Sequence, residues 1–472
     1  MDNNTEQKTE NKTNNEKRWL IVLGGVLINL MLGITYTWGI FGATLEKTYQ
    51  WTTSEQTLAF SIMLFFFAVT MPIAGRIQDK KGPRLVALIG GLLLGIGFIT
   101  SGYAIYDKLM MYVTYGLLAG AGVGFAYGAP IAAGSKWFPD KRGLIAGLMV
   151  FGFGFGSVLL APIAQVMISG LPAQPKGLIQ PLIVGLFQLP GFSSILKLGL
   201  QNTFAYLGVT FLVSIFIGAM LLKNPPAGWK PEGWDPKNTK KAVTHAYKEF
   251  TATEMIKTKQ FWMLWFMFMF TAAAGLMVIG FLNKFGEITF QQAFNYPADA
   301  AVLEGAVAIS VLAIFNGAGR IFAGWLSDQI GRAKTMLTLF GLQAIMMASF
   351  VYIAPTATFM VYVVMAVIGL CYGACFALFP ASTADFFGGK NCGVNYGLVF
   401  TAYGVGGIAG PMLSAYLVPA APTIMSYASP GLILGIFVAL SAITALYIKA
   451  PKDSQGGGVG NEPAKEDTGS CS

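Results

Sequence analysis

Arg320 stands inside an otherwise uncharged run, Ala313-Ile-Phe-Asn316-Gly-Ala-Gly-Arg320-Ile-Phe-Ala-Gly324. A charge at the centre of a membrane helix costs about 2.5–3.5 kcal/mol to insert. An arginine stays protonated, and its planar fork matches a carboxylate. With no acid in reach on its own helix, it suits an anionic substrate. Two alternatives compete. Arg320 lies seven residues from Ser327, about 10 Å of helix, so it can snorkel to the surface, or it can pair with Asp328 or Asp385. Asn316 lies one turn earlier on the same face and can donate to the same carboxylate.

A second constellation occurs twice. Gly75-Arg-Ile-Gln-Asp79-Lys-Lys-Gly82-Pro-Arg84 follows one apolar run, and Gly324-Trp-Leu-Ser-Asp328-Gln-Ile-Gly331-Arg332 follows another. Glycine lets two helices approach closely. An aspartate near a helix end can pair with a neighbouring helix N-terminus and with basic side chains. Such contacts would close one face of a protein in one state and break in another. Gly75, Asp79, Arg84, Gly324, Asp328 and Arg332 are therefore the expected gate, with a static staple between helices as the alternative.

Residues of this kind need apolar elements to carry them. The chain has 472 residues, 54% hydrophobic and 11% charged, with a mean hydropathy of +0.60. Soluble domains carry about 25% charged residues. Apolar runs long enough to cross a bilayer, about 20 residues each, start near Trp19, Thr53, Leu85, Met110, Leu144 and Thr203. A second set starts near Phe261, Ala300, Met336, Thr358, Tyr396 and Ser426.

The basic residues test this reading. Of the 31 lysines and arginines, only Lys47, Lys108, Lys176, Lys197 and Lys284 fall in segments on the outer side when the N-terminus is placed inside. Arg320 lies within a span, and every other one falls on the inner side. This asymmetry predicts a multi-pass protein of the cell membrane with both termini cytoplasmic. It also excludes nucleic acid as the reason for the net charge of +9.

The apolar stretch 171–200 is broken by prolines, and a thirteenth crossing there would invert all that follows. It is read as an external cap or an interfacial or re-entrant insertion, with a tolerated loop insertion as the plainer alternative. The expected organisation is a disordered tail (1–17), a six-helix half (18–223), a polar, basic linker (224–260), a second half (261–450) and a disordered tail (451–472).

The halves repeat one another. Gly124-Phe-Ala-Tyr127-Gly128 matches Gly369-Leu-Cys-Tyr372-Gly373, and Gly147-Leu-Met-Val-Phe-Gly-Phe-Gly154 matches Gly397-Leu-Val-Phe-Thr-Ala-Tyr403-Gly404. Together with the paired Gly-Asp-Gly loops, these are three matches offset by six helices. Parallel repeats with a site between them near the midplane are a transporter architecture. The fold class is therefore an all-α polytopic membrane protein, twelve helices in two pseudo-symmetric bundles. Tyr36, with Trp38 nearby, and Tyr403 are further candidates to line the site.

Enzymes are disfavoured. His245 is the only histidine and lies in the linker, and no carboxylates cluster. Cys371 and Cys375 read as packing residues. No metal or cofactor is implied. A membrane sensor would need an output domain, and neither tail reads as one.

The Gly-Asp-Gly-basic loop resembles the signature loop of the major facilitator superfamily. The stretches Asn316-Gly-Ala-Gly-Arg320, Tyr396-Gly-Leu-Val-Phe-Thr-Ala-Tyr403-Gly, Asn224-Pro-Pro-Ala-Gly-Trp229 and Lys257-Thr-Lys-Gln-Phe-Trp262 are similar to the oxalate/formate antiporter family and its monocarboxylate transporter relatives. The resemblance implies secondary transport of a small carboxylate, with protons as a second partner; a pocket between the two halves of one chain needs no partner subunit, so a functional monomer in the lipid bilayer is expected. It implies that Arg320 holds the carboxylate and that Tyr127, with its repeat mate Tyr372, lines the site. Where the oxalate exchanger has a lysine after Thr-Ala in the eleventh helix, this chain has Tyr403. One cation suits a monocarboxylate such as lactate better than oxalate. Where animal monocarboxylate transporters have an aspartate one turn before the arginine, this chain has Asn316. That removes an evident proton carrier and leaves proton symport and carboxylate exchange both open.

Overall fold

The computed structural model describes residues 3–170, 185, 197–226, 229–231, 249–419 and 421–451. Among them are twelve helices long and apolar enough to cross a membrane. In chain order they are α1 Arg18–Tyr49, α2 Ser54–Lys81, α3 Pro83–Tyr103, α4 Lys108–Trp137, α5 Arg142–Ser169 and α6 Gly199–Leu221. The second set is α7 Lys259–Leu282, α8 Val307–Ile330, α9 Arg332–Thr356, α10 Thr358–Phe387, α11 Cys392–Leu417 and α12 Ile424–Tyr447. Helices satisfy every backbone donor and acceptor within the segment, as lipid requires. Their outer faces carry exposed apolar side chains such as Phe65, Leu92, Val213 and Ile345, as a lipid-facing surface should.

The packing repeats. In the first half α1 packs on α5, α2 on α4 and α3 on α6; in the second, α7 packs on α11, α8 on α10 and α9 on α12. The halves meet along two seams, α5 against α8 and α2 against α11. Exchanging the halves maps each seam onto the other. Gly82 and Gly331 punctuate matching turns with φ of +88° and +94°. Only glycine adopts such angles freely.

Three segments depart from composition or extend beyond it. The polar residues expected to form a disordered N-terminal tail instead continue α1 back to Asn3. Glutamate, glutamine and lysine propagate a helix readily once a span has nucleated it. The helix of α7 continues to Phe294, and that of α8 begins at Ala298. The insertion leaves and returns at one place: the Lys197 and Leu198 amides donate to the Val166 and Met167 carbonyls at 3.4 and 2.6 Å. Its two ends thus lie side by side on one face. Residues 171–184 and 186–196, most of the linker with His245, and the tail from Lys452 lie outside the described residues.

Both ends of the linker are fastened. Trp229 Nε1 donates to the Trp137 carbonyl at 3.2 Å, and Trp137 Nε1 to Lys223 at 2.7 Å. On the other half, the Phe250 amide donates to the Phe387 carbonyl at 2.9 Å, and Asn391 Nδ2 to the Phe250 carbonyl at 2.8 Å.

Candidate functional site

Arg320 projects from α8 into the seam with α5 and is 0% exposed. Its Nη1 donates to the Val150 carbonyl of α5 at 2.7 Å. Its Nη2 and Nε donate to Asn316 Oδ1 at 2.9 and 3.3 Å. The guanidinium lies over the Phe376 ring at 4.3 Å and 5.7 Å from the Phe153 ring centre. It does not snorkel, and it does not pair with Asp328 or Asp385, which hold other cations. All its partners are neutral or aromatic. The charge is therefore buried without a counter-ion among the described residues.

The tyrosines gather around it. Tyr127, Tyr372 and Tyr396 lie within electrostatic reach of Arg320. All three are buried; the Tyr127 and Tyr396 hydroxyls adjoin each other and that of Tyr372 adjoins Tyr36, none with good hydrogen-bond geometry, and Asn316 Nδ2 has no partner among the described residues. Buried polar groups are rarely left unpaired. The guanidinium and Asn316 Nδ2 can only donate, and the tyrosine hydroxyls can donate as well as accept, so the site can serve an incoming acceptor such as an anion. Tyr36 comes from α1 where the helix tightens over Gly33–Thr37. Its hydroxyl lies 3.4 Å from that of Tyr403 on α11, joining the halves. Trp38 turns away: it stacks on Tyr115 at 4.0 Å and donates to Gln56 inside the first half.

Aromatic rings wall the site. Tyr127 packs at 5.2 Å against both Phe153 and Phe400, and Tyr372 at 5.3 Å against Phe376. Phe153, Phe376 and Tyr396 were not anticipated. A signal existed for two: Phe153 stands in the Gly-Phe-Gly-Phe-Gly run of α5, and Phe376 lies one turn beyond Tyr372.

Most of the residues expected to form a gate meet across the seams on the face of the α2–α3 and α8–α9 turns. Asp79 accepts from the Gly393 and Val394 amides at 3.1 and 2.9 Å, at the start of α11. Asp328 accepts from Gly143 and Leu144 at 3.0 and 2.8 Å, at the start of α5. Each carboxylate meets orphan amides and the positive end of a helix dipole. Gly75 lies directly against the Gly393 backbone and Gly324 against that of Gly143, with no room for a Cβ.

Arg332 binds Asp328 at 2.6 Å and Asp385 at 2.8 Å, and Asp385 also holds Arg142 at 2.9 Å. Arg84 does not join its half of the gate. It donates to the Met220 carbonyl at 2.9 Å, and Lys136 stands 3.7 Å from Asp79 instead. Toward the opposite face, Gly39 of α1 and Gly280 of α7 are exposed. A Cβ on Gly39 or Gly280 would meet nothing within 4 Å. Among the described residues no histidine, cysteine or carboxylate cluster could hold a metal.

Twelve spans in two matched bundles, closed at one face and lined at the middle by a buried cation, define a membrane carrier. The sequence pattern of the Major Facilitator Superfamily matches residues 23–411, and the chain belongs to that superfamily. It is a multi-pass transporter, not an enzyme. It is 29% identical to the oxalate:formate antiporter of Oxalobacter formigenes over 84% of either chain. It is 24% identical to apicoplast pyruvate carrier 1 of Toxoplasma gondii, over 94% of this chain and 91% of the carrier. Monocarboxylate transporter 13 of Rattus norvegicus is also 24% identical, over 84% and 82%. Among solved structures, the proton:xylose symporter XylE superposes with a TM-score of 0.63 at 14% identity, covering 92% of this chain and 96% of its own. The transporter FucP in its outward conformation gives 0.60 at 15%, covering 91% and 99%. Both show the fold alone.

Proposed function

We propose that this transporter carries small monocarboxylate anions of the lactate, pyruvate and formate class, coupled to protons, with Arg320 binding the carboxylate. One observation carries the reading: a fully buried guanidinium whose partners are all neutral, beside an unpaired amide donor on Asn316 and the buried hydroxyls of Tyr127 and Tyr372. The names of the antiporter, pyruvate carrier and monocarboxylate transporter relatives agree in substrate class. Tyr36 and Tyr403 complete the lining. The protein works as a monomer in the cell membrane with both termini cytoplasmic, since its site lies between two halves of one chain.

The mechanism follows from the cost of that charge. A buried ion without a partner is expensive, so the empty carrier resists enclosing Arg320. A bound carboxylate offsets the charge, and the halves rock about it. Opening the gate face requires Asp79 to leave Gly393 and Val394, and Asp328 to leave Gly143 and Leu144. A second reading, carboxylate exchange without protons, is favoured by one observation. Among the described residues no aspartate or glutamate bonds Arg320.

Labelled L-lactate uptake into proteoliposomes, with and without an acid-outside gradient, separates the two. Uptake driven above equilibrium and blocked by a protonophore establishes symport. Gradient-independent uptake that is stimulated by internal unlabelled carboxylate establishes exchange. No carboxylate uptake in either mode overturns both.

A further inference from the structure

A groove of about 430 Å³ opens on the lipid-facing surface of the second half, between α7 and α12 and away from the central site. Its wall on α7 is Trp262, Phe266 and Phe270, spaced four residues apart and therefore on one stripe; Ser441 and Thr444 form the facing wall on α12. The groove exists because these two small side chains stand opposite large rings. Their hydroxyls are already satisfied by their own helix, through the Phe437 and Leu440 carbonyls at 3.1 and 2.7 Å. The walls thus present no polar demand. Trp262 and Phe266 are about half exposed, as is Leu440 on the rim. In a membrane-spanning chain, such a surface is wetted by acyl chains.

One end of the groove is different. Lys259 lines it and is the only charged residue that does. It is exposed and forms no ion pair with a described residue. Lys257 precedes it by two residues, and Lys449 follows the end of α12 at the same face. Both are also exposed. The Trp262 indole donates to the Ile256 carbonyl at 3.0 Å, holding the ring where tryptophans mark the headgroup level.

We propose that this groove is a binding site for one anionic phospholipid. An acyl chain lies along the Trp262–Phe266–Phe270 stripe, and the phosphodiester rests at Lys259. The charge at the mouth selects the occupant. A headgroup without a cation of its own gains the full attraction of Lys259, whereas a choline headgroup sets an ammonium beside it. Basic pockets between helices at a membrane face recognise lipids in this way.

The test is native mass spectrometry of the full chain, purified in detergent and given equal amounts of phosphatidylglycerol and phosphatidylcholine. The wild type should retain phosphatidylglycerol about fivefold over phosphatidylcholine, the factor one surface cation is worth. Lys259→Glu should abolish the preference. Ser441→Trp, which fills the groove, should lower retention of phosphatidylglycerol even where the mouth is intact. Equal retention of the two lipids by the wild type would overturn the site, as would a preference unchanged in Lys259→Glu. A dimer mass in place of lipid adducts, lost in Ser441→Trp, would also overturn it by giving the groove to a second copy. Lys259 is exposed, so its variant keeps the test decisive if Ser441→Trp fails to fold.

Discussion

Asp79 and Asp328 are repeat mates, and each caps a helix of the half to which it does not belong. The two seams are nevertheless unequal. At the start of α5 stands Arg142, tied to Asp385; at the corresponding start of α11 stands Cys392, which is neutral and buried against Ala132 and Ala384. The α2–α11 seam is therefore the one with less charge pairing to break.

Asp79→Asn should loosen that seam. Loss of the negative charge at the α11 N-terminus costs about 0.3–1 kcal/mol, enough to raise the population of the open gate about two- to fivefold. Cys392 reports it directly. Maleimide labelling of Cys392, in a background with Cys471 replaced by serine, should rise in the Asp79→Asn variant. Labelling equal to that of the parent protein would make the carboxylate a bystander.

Asp385→Asn addresses stability rather than gating. The carboxylate is buried between Arg332 and Arg142. Removing its charge leaves two guanidinium groups without their shared partner, and breaking such a buried pair costs about 3–5 kcal/mol. Thermal unfolding in detergent should shift markedly downward. A melting temperature within error of the wild type would show that the two arginines find other partners.

Arg320→Ala should abolish carboxylate uptake while leaving expression and folding intact. Arg320→Lys keeps the charge but cannot span the Val150 carbonyl and Asn316 together. A hydrogen bond to a charged group is worth about 1.5–3 kcal/mol, so uptake efficiency should fall about 10–100-fold. Normal uptake by the alanine variant would remove Arg320 from the site.

Tyr403→Lys tests specificity. Tyr403 adjoins Tyr36 and packs on Phe376, which itself covers the guanidinium. A lysine there would give the site a second cation. Competition against labelled lactate should then show oxalate as the better inhibitor in the variant and the poorer one in the wild type. An unchanged order of inhibition would place Tyr403 outside the specificity determinants.

Gly154→Ala probes how tightly α5 covers α8. The added Cβ would stand 3.0 Å from Asn316 Oδ1 and 3.1 Å from Arg320 Nε. Overpacking of this kind costs about 1–3 kcal/mol. The load falls on the guanidinium, so KM for the carboxylate should rise while the amount of folded protein stays level. A KM equal to that of the wild type would show that the arginine shifts without consequence.

Much of the architecture could be read in advance for one physical reason. Lipid demands long apolar helices, so twelve spans stand out from composition alone, and duplication marks the halves through Asp79 and Asp328. Arg320 was conspicuous because a charge inside a span is costly. The partners were less visible. The Val150 carbonyl and the amides of Gly143 and Gly393 are backbone groups present at every position, and only the packing of α5 on α8 and α2 on α11 selects them. Lys136 takes the place expected of Arg84 because α4 ends closer to Asp79 than the next turn of the same loop, a distance that residue spacing does not contain. The helical start at Asn3 is not legible in the sequence, because polar residues of high helix propensity give the same composition to a helix as to a tail.

The hydrogen bonds that join Lys197 and Leu198 to Val166 and Met167 hold the two ends of the insertion together at one point of the first half. A rigid reporter domain or affinity handle spliced into residues 171–196 would enter and leave the protein at one point, far from the gate-face turns. Such a fusion would give the carrier a fixed landmark on the opposite face while leaving both seams free to part.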